Sequence, residues 1–197
     1  MKIEPVTLTG RIVRLAPLVL DHLHDLAEAG KDENIWAYMR YGIVNNPEKM
    51  RVMIDSLLAL QAKGSDLPFT VIHLPSGKAI GMTRYLNIEP SNRALEIGGT
   101  WYQPEFQHTG VNTECKYLLL RHAFEDLDCL RVQFKADQRN IRSQQAIERI
   151  GAIREGVLRN DVILPDGFVR SSVYFSILVE EWPQVKAHLE NLLGRQA

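Results

Sequence analysis

The sequence predicts a mixed α/β (α+β) domain in which a sheet of about seven strands is covered by helices. Strand-like and helix-like segments follow one another in the order β-α-α-β-β-β-α-β-α-β-β-α. The three consecutive strands are separated by short turns, which is typical of an antiparallel meander. No linker rich in Pro, Gly or Ser divides the chain and no internal repeat occurs, so we expect a single domain over residues 1–197.

The first third of the chain predicts one strand and two helices. Residues 10–17 form a strand-like run, and apolar residues recur at helical intervals over residues 18–31. An irregular segment rich in aromatic residues follows. Residues 46–64 begin with Asn46, a favoured N-cap, and with Pro47 at the first helical position. These signals indicate the start of the second helix.

The middle of the chain predicts the meander and a long helix. Residues 68–74, 79–88 and 94–102 are strand-like, and the turns PSGK and EPSNR separate them. Residues 111–127 then have apolar side chains at helical spacing. A strand, a loop and a helix therefore follow one another at the centre of the sequence.

The last third predicts a strand, a short helix, a hairpin and a final helix. Apolar and polar residues alternate over residues 130–136, as in a half-buried strand. Residues 137–151 read as a loop and a short helix, and a hairpin around Pro-Asp-Gly covers residues 154–178. Residues 180–193 have the spacing of an amphipathic helix.

Composition and charge disfavour several classes of protein. The net charge is −1, so we expect neither a nucleic-acid nor a membrane partner. No run of about 18 apolar residues occurs and the N-terminus does not resemble a signal peptide, so we expect a cytoplasmic protein. Cys115, Cys129 and the six histidines have no metal-binding spacing, so we expect no metal site and no disulfide framework.

The stretch FQHTGVNTECK raises the question of an anion site, because a glycine precedes a predicted helix. The first amides of a helix lack internal partners and attract anions. A Walker phosphate loop needs a Lys and a Ser or Thr after a second glycine, and a dinucleotide fingerprint needs three glycines, so both interpretations fail. A plain helix start, with Thr109 or Asn112 as its cap and Gly110 as a permissive position, is the alternative.

Three stretches together resemble the GNAT superfamily of acetyl-coenzyme A-dependent N-acetyltransferases. They are LEIGGTWYQPEFQHTGVNTECKYLLLRHAFEDL, RVQFKADQRNIRSQQAIERIGAIREGVLR and LPDGFVRSSVYFSILVEEWP. The likeness covers nearly the whole chain and is closest to the branch of the ribosomal-protein N-terminal (RimJ/RimL-like) acetyltransferases. It implies the GNAT fold, with a mixed, mostly antiparallel sheet and a splayed pair of central strands.

The resemblance also implies a site for acetyl-coenzyme A (acetyl-CoA), which is the acetyl donor of the family. The family's loop amides hold the pyrophosphate, and a bulged strand binds the pantetheine arm. Asn112 departs from the pattern, since the family has Gly or Ala there. The implied cofactor-binding residues are Gly99, Thr100, Trp101, Gln107, His108, Thr109, Gly110, Val111, Asn112, Thr113, Asn140 and Ser143.

The catalytic residues implied by the resemblance are Glu96, as the general base, and Ser143, near the thioester sulfur. Many family members have a Tyr acid four residues beyond this Ser, and Ile147 stands there instead. An ion pair of Glu96 with Arg84 or Arg131 is the alternative to a catalytic role. Asn140 could likewise be a helix cap, and both of its roles are compatible.

The acceptor is expected to be a primary amine, on a protein N-terminus such as that of a ribosomal protein or on a small molecule. Trp36, Tyr38, Tyr41 and Trp101 are candidates to line its pocket, although about half of such aromatic residues belong to a core. A non-catalytic acyl-CoA sensor is the alternative function. A homodimer is a further expectation, by analogy with similar proteins.

Overall fold

The computed structural model describes residues 1–194, and a single eight-stranded sheet forms its centre. The strands are β1 (Leu8–Thr9), β2 (Val13–Pro17), β3 (Leu67–His73), β4 (Ala79–Glu89), β5 (Ala94–Tyr102), β6 (Arg131–Asp137), β7 (Ile153–Ile163) and β8 (Val169–Leu178). The α-helices are α1 (Leu23–Ala29), α2 (Pro47–Ala62), α3 (Gly110–Arg121), α4 (Ile141–Arg149) and α5 (Trp182–Gly194). The order of strands in the sheet is β1-β2-β3-β4-β5-β6-β8-β7.

The predicted fold class is confirmed, because only β5 and β6 pair in parallel and all other neighbours are antiparallel. The sheet has one strand more than the sequence pattern indicated. The additional strand is Leu8–Thr9, which pairs with Leu15 and Arg14. The two residues of β1 are too few to produce a periodic pattern. The strand that the sequence predicted from residue 10 is β2, and it begins at Val13.

Strands β5 and β6 separate soon after they meet, as expected for a splayed pair. They pair only from Ala94 to Glu96 on β5. On the other side of β5, the partners Met82↔Trp101 and Arg84↔Gly98 leave one extra residue on β5, which is a β-bulge. Gly99 lies in this bulge with a φ of +58°, a conformation that side chains rarely adopt. The bulge turns β5 away from β6 and opens the sheet.

Helices cover both faces of the sheet. The larger apolar cluster contains buried residues of α3, α4 and α5, and the smaller one packs α1 and α2 against Met82 and Trp101. The predicted cap of α2 is present, since the Asn46 side chain accepts a hydrogen bond from the Lys49 amide at 2.9 Å. Within residues 1–194, no helix is both long and apolar enough to cross a membrane.

A buried carboxylate joins α3 to the start of β2. Glu114 is 4% exposed and accepts hydrogen bonds from the backbone amides of Arg11, Ile12 and Val13 at 2.7–2.8 Å. Gly10 is required beside it, because a Cβ there would lie 2.4 Å from the Glu114 side chain. The N-terminal strands are therefore fixed to the helix whose first turn faces the opening in the sheet.

Candidate active site

A cavity of about 620 Å³ lies where β5 and β6 diverge. Its walls come from the two separating strands, the first turns of α3 and α4, and the segment between α1 and α2. This volume is in the usual range for a small-molecule site. The parallel strand pair thus opens into a cavity large enough for a small-molecule ligand.

The loop before α3 forms one end of the cavity, with Gln107, His108 and Thr109 in its wall. Thr109 caps the helix as predicted, since its side chain accepts from the Val111 amide at 3.3 Å. His108 has a φ of +61°, so the chain turns sharply just before the helix. Gln107 donates to the Tyr102 carbonyl at 3.0 Å and accepts from Arg142 at 3.2 Å. The loop is therefore held between β5 and α4.

Three of the predicted loop residues do not line the cavity with their side chains. Val111 and Thr113 are 2% and 0% exposed, and they face the interior. Gly110 begins the helix and has no side chain. Contact with an anion could come only from their backbone amides; that of Gly110 has no partner within the helix, whereas that of Val111 already donates to Thr109 Oγ1.

Asn112 lines the cavity, and its side chain is turned toward β5. Its Oδ1 accepts a hydrogen bond from the Tyr102 hydroxyl at 3.2 Å. Burial raises the pKa of Tyr102, so this hydroxyl keeps its proton at neutral pH. The amide group is thus oriented by a fixed partner, and its Nδ2 is left as a donor.

The bulge of β5 forms the central wall through Gly99, Thr100 and Trp101. Thr100 Oγ1 lies 2.8 Å from Thr83 Oγ1 and accepts from Lys116 Nζ at 2.7 Å. A Cβ on Gly99 would come within 3.0 Å of Tyr41 Oη and 2.9 Å of Arg84 Nε. Polar groups therefore approach the bulge from both faces of the sheet.

The start of α4 faces the bulge across the opening. Asn140 caps this helix, since its Oδ1 accepts from the Ser143 amide at 3.0 Å. Asn140, Ser143 and Ile147 all line the cavity. Ile147 is 8% exposed, so an apolar side chain fills the place of the family's Tyr.

Glu96 also lines the cavity, six residues before Tyr102, with which β5 ends ahead of the loop, and it is 3% exposed. Its Oε2 accepts from Asn87 Nδ2 at 2.9 Å and from Gln133 Nε2 at 3.0 Å. Both contacts are to neutral amides on neighbouring strands. The carboxylate is therefore oriented by neutral donors, and Arg170 in the same wall is close enough for a Coulombic interaction with it.

The alternative ion pairs of Glu96 are not formed. Arg84 Nη1 lies 2.9 Å from Asp66 Oδ2, and Arg131 pairs with Glu155. Both arginines thus have other carboxylate partners, and an ion pair does not account for Glu96.

The aromatic residues proposed for the acceptor divide between wall and core. Tyr38, Tyr41 and Trp101 line the cavity. Trp36 does not: it is 2% exposed, its Nε1 donates to the Gly30 carbonyl, and its ring packs 5.0 Å from that of Trp101. Trp36 therefore supports Trp101 from behind, since its hydrogen bond and packing hold it in the smaller apolar cluster.

Of the seven Lys and Arg residues in the cavity wall, sequence reasoning named only Arg84, and it missed the buried Lys116 and Arg170. Each occurs in an otherwise apolar or alternating segment, where a single basic residue ordinarily points to solvent. Burial lowers the pKa of Arg170, and the nearby carboxylates of Asp137, Asp161 and Glu96 act in the opposite direction. Within residues 1–194, no group of three or more His, Cys, Asp or Glu side chains is arranged to hold a metal ion.

The fold and the cleft correspond to the class of protein that the sequence resembles, an acyltransferase in which two strands splay beside a helix start. A family model described as the acetyltransferase (GNAT) domain matches residues 13–153, which is more than half of the chain. The chain belongs to the GNAT acetyltransferase family.

Individual relatives support the suspected branch. The chain is 37% identical over 109 residues to "Putative ribosomal N-acetyltransferase YdaF" of Bacillus subtilis (strain 168), covering 55% of this chain and 58% of that protein. It is 26% identical over 135 residues to the ribosomal-protein-serine acetyltransferase of Escherichia coli (strain K12), covering 68% and 74%. The match to YdaF thus spans less than two thirds of that relative's length.

A solved structure extends the likeness over almost the whole chain. The crystal structure of a "putative acetyltransferase" from T. thermophilus has a TM-score of 0.89 and 40% sequence identity. The alignment covers 98% of this chain and 100% of that one.

Proposed function

We propose that this protein transfers the acetyl group of acetyl-CoA to a primary amine by direct attack of the amine on the thioester. The observation that carries the proposal is the single cavity that borders both a helix start and the buried Glu96. The helix start suits an elongated, anionic acetyl donor. The Glu96 carboxylate suits an amine that must lose a proton.

The residues present suit such a donor. Amides of the first turn of α3, such as that of Gly110, would hold the pyrophosphate, because an anion at a helix N-terminus accepts from donors that lack a partner and is favoured by the helix dipole. The dipole alone is worth about 0.3–1 kcal/mol, so a ligand of micromolar affinity needs contacts elsewhere. The backbone of Gly99, Thr100 and Trp101, with Asn140 from α4, would supply those contacts along the pantetheine arm.

Glu96 is proposed as the general base. The attacking nitrogen forms a bond to the thioester carbonyl carbon and gives up one proton, which Glu96 accepts directly or through a water molecule. Backbone amides of the bulge around Gly99 are the proposed donors to the oxygen that becomes negative. The carbon–sulfur bond then breaks, and the coenzyme leaves as a thiolate.

The thiolate must take up a proton to complete the reaction. The proposed donor is Ser143, which lines the cavity at the start of α4, or a water molecule, and solvent replaces the proton that is given up. A free thiol has a pKa of about 8.5, so its protonation near neutral pH is not demanding. The replacement of a Tyr acid by Ile147 should therefore slow this step without preventing it.

The proposed acceptor is the amino terminus of a protein, such as a ribosomal protein. The names of the two curated relatives favour this class. Tyr38, Tyr41 and Arg40 stand in the wall at the acceptor end of the cavity. Tyr38 and Arg40 are exposed, which suits an acceptor that remains attached to a larger molecule.

The experiment is to measure thiol release from acetyl-CoA in the presence of peptides with free N-termini and of small amines, with mass spectrometry of each acceptor. We expect acetylated peptides and stoichiometric thiol. Transfer to small amines alone would exclude the proposed acceptor class. Binding of acetyl-CoA without transfer to any amine would favour the non-catalytic sensor and contradict the proposed function.

We also propose that two copies associate through the edge of the sheet formed by β7. This strand is the last in the sheet, and it exposes Ile153, Leu158 and Ile163 at 56%, 52% and 74%. A long exposed edge with apolar side chains is prone to pair with another chain. Sedimentation equilibrium should give twice the 22.4 kDa chain mass, whereas the chain mass itself would exclude the dimer.

A further inference from the structure

A buried ammonium group stands in the cavity wall without a carboxylate partner. Lys116 is 6% exposed, lines the cavity, and donates to Thr100 Oγ1 at 2.7 Å. Burial lowers the pKa of Lys116 to about 8, and no neighbouring carboxylate offsets this effect. A lysine in such a place is costly to the fold, because a buried charge is ordinarily paired.

The ionisable residues that precede Lys116 on α3, and Arg149 of α4, have other roles. Glu114 accepts three amides of the segment leading into β2. Arg149 of α4 donates to Thr113 at 2.9 Å, and Cys115 is a buried thiol whose pKa is raised by burial to about 12. The protein therefore supplies no anion to Lys116 among its described residues.

The position of Lys116 along α3 separates it from the loop that would hold the pyrophosphate. It lies six residues beyond Gly110, the first residue of the helix. At a rise of 1.5 Å per residue this is about 9 Å along the axis. Thr100, to which Lys116 donates, is instead adjacent to Gly99 in the bulge. The ammonium thus belongs with the proposed reaction centre.

We propose that Lys116 is a further active-site residue, whose ammonium stabilises the negative charge that develops on the thioester carbonyl oxygen when the amine attacks. Thr100 holds the ammonium at the bulge, and its hydroxyl is in turn bonded to Thr83. Lys116 keeps its proton throughout, so no bond or proton is added to the reaction. This role rests on the proposed acetyl transfer. It names the group that stabilises the negative charge formed on the carbonyl oxygen in that reaction.

We expect the substitution of Lys116 by Met to lower the activity without lowering the stability of the fold. Lys116→Met replaces an unpaired buried charge by an apolar side chain of similar length. The melting temperature should stay the same or rise, since replacing a buried charge by an apolar group is often neutral or stabilising. The loss of one preorganised group that stabilises an oxyanion should lower kcat by about 10²–10³-fold.

The test measures kcat, the KM for acetyl-CoA, the melting temperature and the melting shift caused by coenzyme A in Lys116→Met. A second variant, Lys116→Gln, retains a donor for Thr100 but no charge, and exposed Lys63→Met is the control. We expect both Lys116 variants to lose kcat while KM and the coenzyme A shift stay near those of the wild type, and Lys63→Met to behave as the wild type.

Three results would overturn the proposal. One is an unchanged kcat in Lys116→Met, and another is full activity in Lys116→Gln. The third is a raised KM or a lost coenzyme A shift at unchanged kcat, which would make Lys116 a ground-state binding residue. A wild-type protein that acetylates no amine would instead contradict the proposed function, so the two failures are distinguishable.

Discussion

The Glu96 carboxylate is held in place by hydrogen bonds from two neutral side chains. Asn87 has a φ of +48° at the point where β4 gains one residue relative to β5, and its side chain reaches Oε2 of Glu96. Gln133 reaches the same oxygen from β6. The other oxygen, Oε1, is beside Gly98, where a Cβ would lie 3.3 Å away. The side chain is therefore fixed through Oε2, and Oε1 lies beside Gly98, which lines the cavity.

Replacement of Glu96 by Gln tests its role as the base. The amide has nearly the same shape but cannot accept a proton, so kcat should fall by about 10²–10⁴-fold and the acid limb of the pH–rate profile should disappear. Stopped assays of product against pH measure both effects. Glu155→Gln, on the same sheet and engaged by Arg131, is the control and should be near wild type. An unchanged kcat and pH profile would remove Glu96 from the mechanism.

Asn140 combines a visible structural role with a proposed binding role, and two variants separate them. Asn140→Asp keeps the acceptor that caps the Ser143 amide but loses the Nδ2 donor. We therefore expect near wild-type stability with a raised KM for acetyl-CoA. Asn140→Ala should lose the cap as well, at about 1 kcal/mol of unfolding free energy. Denaturant titration and steady-state kinetics measure the two effects, and an unchanged KM in both variants would limit Asn140 to capping.

At the residue scale, the sequence could predict the roles of residues that have a local sequence signature. Asn46, Thr109 and Asn140 cap helices, as such residues at these positions ordinarily do. Lys116 and Trp36 could not be placed from sequence. Their burial depends on which element packs against them, and neither helical spacing nor aromatic content records that contact.

At the scale of elements, the splayed pair depends on what fixes its two sides. The bulge bends β5, and α3 is anchored to the segment before β2 by Glu114. The sequence predicted α3 from its apolar spacing, and the resemblance predicted the bulge. It did not predict the Glu114 anchor, because this contact joins residues about one hundred positions apart.

Glu114→Gln tests that anchor. The Gln side chain presents at most one acceptor oxygen to three backbone donors, so at least one amide loses its partner. We expect the free energy of unfolding to fall by roughly 2–4 kcal/mol, since hydrogen bonds to a charged group are worth about 1.5–3 kcal/mol each. Urea denaturation measures the change, with exposed Glu148→Gln as the control. A loss no larger than that of the control would mean that the three contacts contribute little.

At the scale of the whole molecule, the alternation of strands and helices was enough to predict a mixed sheet covered by helices. Turn residues between β3, β4 and β5 indicated their antiparallel pairing. Strand order beyond this meander was not predictable from local pattern. It depends on long-range contacts such as the insertion of β8 between β6 and β7, which follows from pairing and not from sequence adjacency.

The topology of the whole sheet explains why one cavity can bind both the acetyl donor and the amine acceptor of the proposed reaction. The opening between β5 and β6 runs through the sheet, so the loop before α3 and the aromatic segment after α1 border one space. A donor held along the opening would present its thioester near Glu96. The central claim is therefore that acetyl-CoA binds in this opening.

Thermal unfolding with and without coenzyme A tests this claim most directly. At 100 times its Kd, a ligand stabilises the native state by about 2.7 kcal/mol. For a chain of this size, each kcal/mol raises the Tm by about 2–4 °C, so we predict an increase of roughly 5–10 °C. A Tm that does not change at any coenzyme A concentration up to saturating millimolar levels would contradict the account.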